Sequence, residues 1–147
     1  MSTRVGPARG EDLTEILALL EGSGLPREGL EGHPALVARE GERVVGSAAL
    51  ELYGSSALLR SVAVADGRRG EGLGGRLTRE ALALARERGA RRAYLLTQTA
   101  DGFFPRFGFR PVPRPEVPEE VRDSVEFVSA CPGSARAMFL NLTEGAR

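Results

Sequence analysis

LLRSVAVADGRRGEGLGGRL, residues Leu58 to Leu77, is the stretch on which the reading of this chain turns. Leu58 to Ala65 is a mostly apolar run with β-branched Val62 and Val64, the pattern of a central strand covered on both faces. Asp66 to Gly72 is a basic, glycine-rich loop, and Leu73 opens an amphipathic helix. Strand, glycine loop and helix N-terminus together make an anion cradle. The first N–H groups of a helix have no intrahelical acceptor, the helix dipole adds positive charge there, and glycines let a phosphate approach the backbone.

Upstream of this stretch, Thr3 to Ala8 reads as a short strand. GEDLTEILALLEGSG (10–24) reads as a helix with Leu13, Ile16, Leu17 and Leu20 on one face. Gly22 and Gly24 end it, and a polar connection rich in glycine runs to Ala35. Leu36 to Arg39 and Val44 to Tyr53 are strands flanking Glu40-Gly41-Glu42, a hairpin signal, and Gly54-Ser55-Ser56 turns into the opening strand. Leu36 to Ala65 is therefore expected to form an antiparallel three-strand meander.

Downstream, Leu73, Leu77, Ala81, Leu84 and Ala85 form one apolar helix face, and Gly89 stops the helix. Ala93 to Thr97 is a strand that a right-handed crossover would lay parallel to Leu58–Ala65. Ala100 to Phe107 is a short helix if Pro105 sits in its first turn, and Gly108-Phe109 begins another strand. Four prolines make Arg110 to Pro118 a stiff extended loop. Glu119 to Ala130 holds one or two short helices, Pro132-Gly133-Ser134 is a turn, and Ala135 to Leu142 is a final strand. The expectation is a single α/β (α+β) domain over residues 1–147, with a mixed central sheet of about six to seven strands and helices on both faces.

Composition narrows the chemistry. The net charge is zero and there is no long basic run, so nucleic acid and anionic membrane are not the expected partners, and a small molecule is. All 20 basic residues are arginine, which excludes a lysine Schiff base and a Walker lysine. One cysteine, Cys131, and one histidine, His33, argue against a disulfide framework and against a Cys/His metal site. Without a basic-apolar leader or an apolar run of about 20 residues, a cytoplasmic protein is expected.

Three phosphate-loop readings compete for the opening stretch. A Walker loop needs Gly-Lys-Ser/Thr where this chain has Gly74-Gly75-Arg76. Gly70, Gly72 and Gly75 satisfy the dinucleotide pattern G-x-G-x-x-G, but that fold places its fingerprint after the first strand and an acidic residue after the next one. Here a meander precedes the loop, and the next strand ends in Thr97-Gln98-Thr99. In the third register Arg69, Gly72 and Gly74 form R-x-x-G-x-G. With Val62-Ala63-Val64 before and Gly75-Arg76-Leu77 after, this resembles the acetyl-CoA-binding motif of the GNAT superfamily of N-acetyltransferases. Tyr94-Leu95-Leu96-Thr97 and the segment from Phe103-Phe104 to Phe107-Gly108-Phe109 resemble its second motif. Gly24-Leu25-Pro26, Leu58-Leu59-Arg60-Ser61, Glu126-Phe127 and Cys131-Pro132 look most like the small members related to bacterial N-acetylglutamate synthase, including those found beside arsenic-resistance genes.

The resemblance implies that acetyl-CoA is the co-substrate, with no metal, and that a homodimer is compatible with the family. Val62, Ala63 and Val64 would offer backbone groups to the pantetheine arm, on a strand that splays from its neighbour. Arg69, Gly70, Glu71, Gly72, Leu73, Gly74 and Gly75 would hold the pyrophosphate, and Phe103, Phe104 and Arg106 would line the far side. The acceptor would be the amine of an amino acid or an amino-acid-like toxin. Glu51 is the candidate base, set against a plain surface glutamate, and His33 is a weaker one. Arg60, costly in an apolar strand unless paired, either receives a substrate carboxylate or is held internally by Glu51 or Glu126. Thr97 and Thr99 are candidate substrate contacts. Phe104 stands where many members carry the tyrosine that protonates the leaving sulfur, and Tyr53 and Tyr94 are its possible substitutes. A catalytically silent acyl-CoA-binding module is the alternative that this departure raises.

Overall fold

A computed structural model of the chain describes residues 3–98, 102–130 and 135–143. Seven strands form one mixed sheet: β1 (Arg4–Pro7), β2 (Ala35–Glu40), β3 (Arg43–Tyr53), β4 (Ser56–Val64), β5 (Arg92–Thr97), β6 (Arg110–Pro111) and β7 (Arg136–Asn141), in the order β1-β2-β3-β4-β5-β7-β6. The meander is present, with β2, β3 and β4 antiparallel in turn. The crossover through helix α2 (Leu73–Glu87) lays β5 parallel to β4, and β7 pairs antiparallel with β5. Helix α1 (Leu13–Gly22) follows a short 3-10 turn at Gly10–Asp12, and a one-turn helix α3 (Glu119–Arg122) follows the proline-rich segment.

The strands carry nearly unbroken apolar runs because both sheet faces are covered. Leu36, Ala38, Leu50 and Leu59 pack with Leu77, Ala81 and Ala85 of α2. The alternate residues Val37 and Ala49 pack with Ile16 and Leu20 of α1, and Leu58 with Val121 and Phe127. On α2 the stripe lies slightly to one side of the expected face: Leu82 is buried, while Leu84 is half-buried on its margin. Gly46 permits the close approach of α2 to β3, since a Cβ there would stand 2.8 Å from Leu77 Cδ1.

Two local expectations change. Arg110 to Pro118 is not uniformly extended. The two-residue β6 pairs with β7, and a 3-10 turn at Arg114–Glu116 then folds the chain back, prolines fitting both because neither needs their missing N–H. The helix expected from Ala100 is a 3-10 turn at Phe104–Phe107 with Pro105 near its start, as its fixed φ favours. Ala100, Cys131 and the Pro132–Ser134 turn lie outside the described residues.

Two irregularities in β4 open the middle of the sheet. Its pairing with β5 runs only from Ser56↔Arg92 to Leu58↔Tyr94, after which the two strands part. Its pairing with β3 shifts register, Ala49 opposing Arg60 but Ser47 opposing Ala63, so Ser61 and Val62 form a bulge. Ser61 takes φ 61°, the one left-handed non-glycine among the described residues, and its carbonyl accepts the Ser47 hydroxyl at 2.8 Å.

Candidate active site

Where β4 and β5 part, a cleft of about 2200 Å³ opens across the sheet. Its floor is Arg60, Ser61, Val62, Ala63 and Val64 of β4, and Leu96 and Thr97 line it from β5. The edge of β4 facing β5 is unpaired there among the described residues, which leaves main-chain donors and acceptors for a ligand.

At one end of the cleft stands the glycine loop. Gly70 and Gly72 have φ 87° and 81°, a conformation costly for any residue with a Cβ. Gly72 caps α2, and the first intrahelical bond is Arg76 N–H to the Gly72 carbonyl at 3.1 Å. The N–H groups of Leu73, Gly74 and Gly75 therefore have no acceptor inside the helix and form the cradle. Arg69 is tied to Asp66 at 2.8 Å and to the Val64 carbonyl at 3.2 Å. Arg68, paired with Glu40, presents a buried Nε with no partner among the described residues. The free helical N–H groups, with Arg68 and Arg69 among the residues lining the cleft beside them, suit a diphosphate.

The opposite wall is aromatic. Phe103 packs edge-on to Phe104 and Phe107, with ring centroids 5.0 and 5.2 Å apart, and the Arg106 guanidinium lies 5.0 Å from the Phe103 centroid. Phe103 also closes on α2, where a Cβ at Gly74 would meet its Cζ at 3.4 Å.

The other end holds a buried charge cluster. Arg60, with no side-chain exposure, donates from Nη1 to Glu51 at 2.8 Å and from Nε to Ser61 Oγ at 3.1 Å, and the same Nε stands 3.1 Å from Glu126 Oε2 as an ion pair. Its Nη2 stands 3.5 Å from the Pro26 carbonyl in the loop after α1. Tyr53 donates its hydroxyl to Glu51, and His33 Nε2 lies 4.0 Å from the same carboxylate. Burial and then the Glu51 bond push the Tyr53 hydroxyl above its ordinary range. Burial pushes the Glu126 carboxyl up to about 7, Arg60 opposing the rise and the Glu51 charge adding to it.

The structure sorts the expected site residues. Val62, Ala63, Val64, Arg69, Gly70, Gly72, Leu73, Gly74, Gly75, Phe103, Phe104, Arg106, Arg60 and Thr97 all line the cleft, whereas Glu71 is exposed outside it and Thr99 lies outside the described residues. Glu51 is not the surface residue set against its catalytic role: it is 2 % exposed on a central strand, behind Arg60 rather than on the cleft. For Arg60 the internal ion pair is the arrangement present, and it engages both glutamates. Neither Tyr53 nor Tyr94 lines the cleft.

Glu126 is the cleft residue to which sequence reading gave only a supporting part. It opens a π-helical turn, Glu126–Ala130, an irregularity that often marks functional positions. A carboxylate between valine and phenylalanine in Val125-Glu126-Phe127 was the available signal, because such a residue is either exposed or buried for a purpose. No group of three or more potential metal ligands occurs among the described residues, and no helix there is long and apolar enough to cross a membrane.

Residues 31–111 match the family model of the acetyltransferase (GNAT) domain. Among solved structures, N-acetylglutamate synthase from Neisseria gonorrhoeae, complexed with coenzyme A and N-acetyl-glutamate, superposes with a TM-score of 0.82 at 24% identity over 97% of this chain. The chain spans only 35% of that synthase, and this likeness is one of fold. Rv2747 from Mycobacterium tuberculosis, in complex with CoA and NLQ, gives 0.78 at 25% identity, covering 94% of this chain and 98% of that one. A GNAT acetyltransferase from Brucella melitensis in complex with acetyl-CoA gives 0.59 at 28% identity over 74% of this chain and 83% of that one. No curated protein sequence matches the chain.

Proposed function

The chain belongs to the GNAT acetyltransferase family, and within that chemistry we propose that it transfers acetyl from acetyl-CoA directly to the amino group of a small carboxylate-bearing substrate, an amino acid or an amino-acid-like toxin. The observation that carries this reading is the cleft itself, which runs from the cradle at α2 to Glu126 along an unpaired strand edge. The two neighbours bound to N-acetyl-glutamate and to NLQ with the coenzyme support the acceptor class. So does Arg27, an exposed guanidinium lining the acceptor end, whose one ion-pair partner among the described residues is Glu21 at 3.9 Å.

Acetyl-CoA supplies an activated thioester when bound. Leu73, Gly74 and Gly75 hold its diphosphate by main-chain N–H groups, and the edge of Val62 to Val64 that β5 leaves unpaired bonds the amide-bearing arm. A main-chain N–H of the same edge stabilises the oxyanion as the amine attacks. Glu126 takes the proton from the amine, a role for which a carboxyl titrating at about 7 is matched at neutral pH. The C–N bond forms, the C–S bond breaks, and the departing thiolate is protonated by water. No tyrosine among the described residues lines the cleft to do so, and a thiol of ordinary pKa about 8.5 leaves without one. Arg60 serves here as the holder of Glu126, because breaking a buried pair to receive a substrate would cost about 3–5 kcal/mol.

Free-thiol release from acetyl-CoA, screened against the common L-amino acids, tests the reading, with calorimetric titration of CoA and NAD alongside. Amine-dependent release together with CoA binding is expected. Release from no amino acid would leave the silent acyl-CoA-binding module, and NAD binding in place of CoA would overturn the coenzyme assignment. Glu126→Gln should lower kcat/KM by roughly 10²–10⁴ while CoA affinity stays unchanged. Full activity in that variant would remove Glu126 from the mechanism.

A further inference from the structure

We infer that Glu51 is a positioning residue: buried behind Arg60, it competes with Glu126 for one guanidinium and so sets how firmly Glu126 holds its proton. The inference rests on Glu126 being the base. Its geometric ground is that Arg60 is shared, Nη1 on Glu51 at 2.8 Å and Nε on Glu126 at 3.1 Å, with the side chain wholly shielded from solvent. Charge committed to one carboxylate is unavailable to the other, and screening by water is weak at such burial.

Among the described residues, the charged groups that act on Glu126 have effects of definite sign. Arg60 of β4 favours its ionised form, and Glu51 of β3 opposes it. Tyr53 donates to the Glu51 oxygen not bonded to Arg60, and His33 stands 4.0 Å from that same oxygen. Arg27, Glu28 and Glu31 of the loop after α1 line the cleft but are exposed, so their fields are screened. Glu51 does not line the cleft, so it acts through Arg60 rather than on the substrate.

Two substitutions must therefore move Glu126 in opposite directions. Glu51→Gln removes the competing charge, leaves Arg60 to Glu126, and lowers its titration midpoint by about one pH unit. Tyr53→Phe removes the donor that shares the Glu51 charge, turns more of it onto Arg60, and raises the midpoint. Carbon-13 NMR titration of glutamate carboxyls in the intact protein, with the Glu126 signal identified by its absence in Glu126→Gln, reads this without any acceptor. The acid limb of kcat/KM for whichever amino acid the thiol screen selects should shift in parallel. Glu51→Gln leaving the midpoint unmoved or raising it would overturn the inference. If that variant does not fold, Tyr53→Phe alone decides, an unmoved or lowered midpoint counting against it. Failure of the parent reading looks different, because Glu126→Gln would then keep full activity whatever the titrations show.

Discussion

Arg60 shows how one side chain can hold a site together without touching what the site transforms. Its guanidinium fork reaches two carboxylates, a serine hydroxyl and a backbone carbonyl, and its side chain has no exposure. Arg60→Ala would leave Glu51 and Glu126 as uncompensated buried charges, and stability measured by urea unfolding should fall by about 3–5 kcal/mol. Arg60→Lys keeps a charge but cannot span both partners with a fork, and should recover only part of that loss. A substrate-binding role predicts a different outcome, near wild-type stability with a raised KM, and the two measurements tell them apart. Ser61 belongs to the same local device. Regular alternation before the bulge puts Arg60 on the same sheet face as Glu51, Ser61 Oγ accepts from Arg60 Nε, and the Ser47 hydroxyl donates to the carbonyl of the left-handed Ser61.

At the scale of elements, the site exists because α2 is clamped against β3 while β4 and β5 part. Gly46→Ala tests the clamp, since the new Cβ would stand 2.8 Å from Leu77 Cδ1 and 3.4 Å from the Ala63 carbonyl. Overpacking of this kind costs about 1–3 kcal/mol. Because Leu77 lies one turn from the cradle, the displaced helix should also weaken CoA binding. Urea unfolding and calorimetry on the same sample would show both losses, and a stability loss with unchanged CoA affinity would mean that α2 tilts without moving its N-terminus. The elements themselves were legible in the chain. Turn glycines bounded the meander, and the apolar stripe of α2 and the mostly apolar run of β4 each follow from local periodicity. The charge cluster was half legible: an arginine in an apolar strand announces a partner, and Glu51 and Glu126 were nameable as such. That Glu126 rather than Glu51 reaches the cleft was not legible, because Glu126 comes from a π turn, which leaves no periodic trace. The shift from Leu84 to Leu82 on α2 has the same origin, since the exact rotation of a helix is set by packing against its sheet and not by its own pattern.

For the molecule as a whole, two ionisations pull stability in opposite directions with pH. Asp12, buried at the foot of α1, bonds to Arg39 of β2, and that bond holds its carboxyl below the ordinary 3.8. The folded state binds this proton more weakly than the unfolded chain, so the stabilisation is present above about pH 4 and is lost as pH falls through the lowered value. Glu126 has the opposite sign. Its carboxyl rises from 4.5 to about 7, so its contribution is fully present below 4.5 and is lost as pH climbs to about 7. The fold should therefore be most heat-stable in mild acid, while the proposed acetyl transfer needs Glu126 ionised and gains rate as that stability declines. Such opposition is expected where a group is kept in a desolvated site for its chemistry. Glu126→Gln separates the two. At pH 8 it should melt above the wild type, at pH 4.5 the two should coincide, and both should share the acid limb, which Asp12→Asn alone removes. Scanning calorimetry across pH 3–9 would show this, and a constant Tm gap between Glu126→Gln and wild type at every pH would mean that Glu126 is not the group whose ionisation strains the fold.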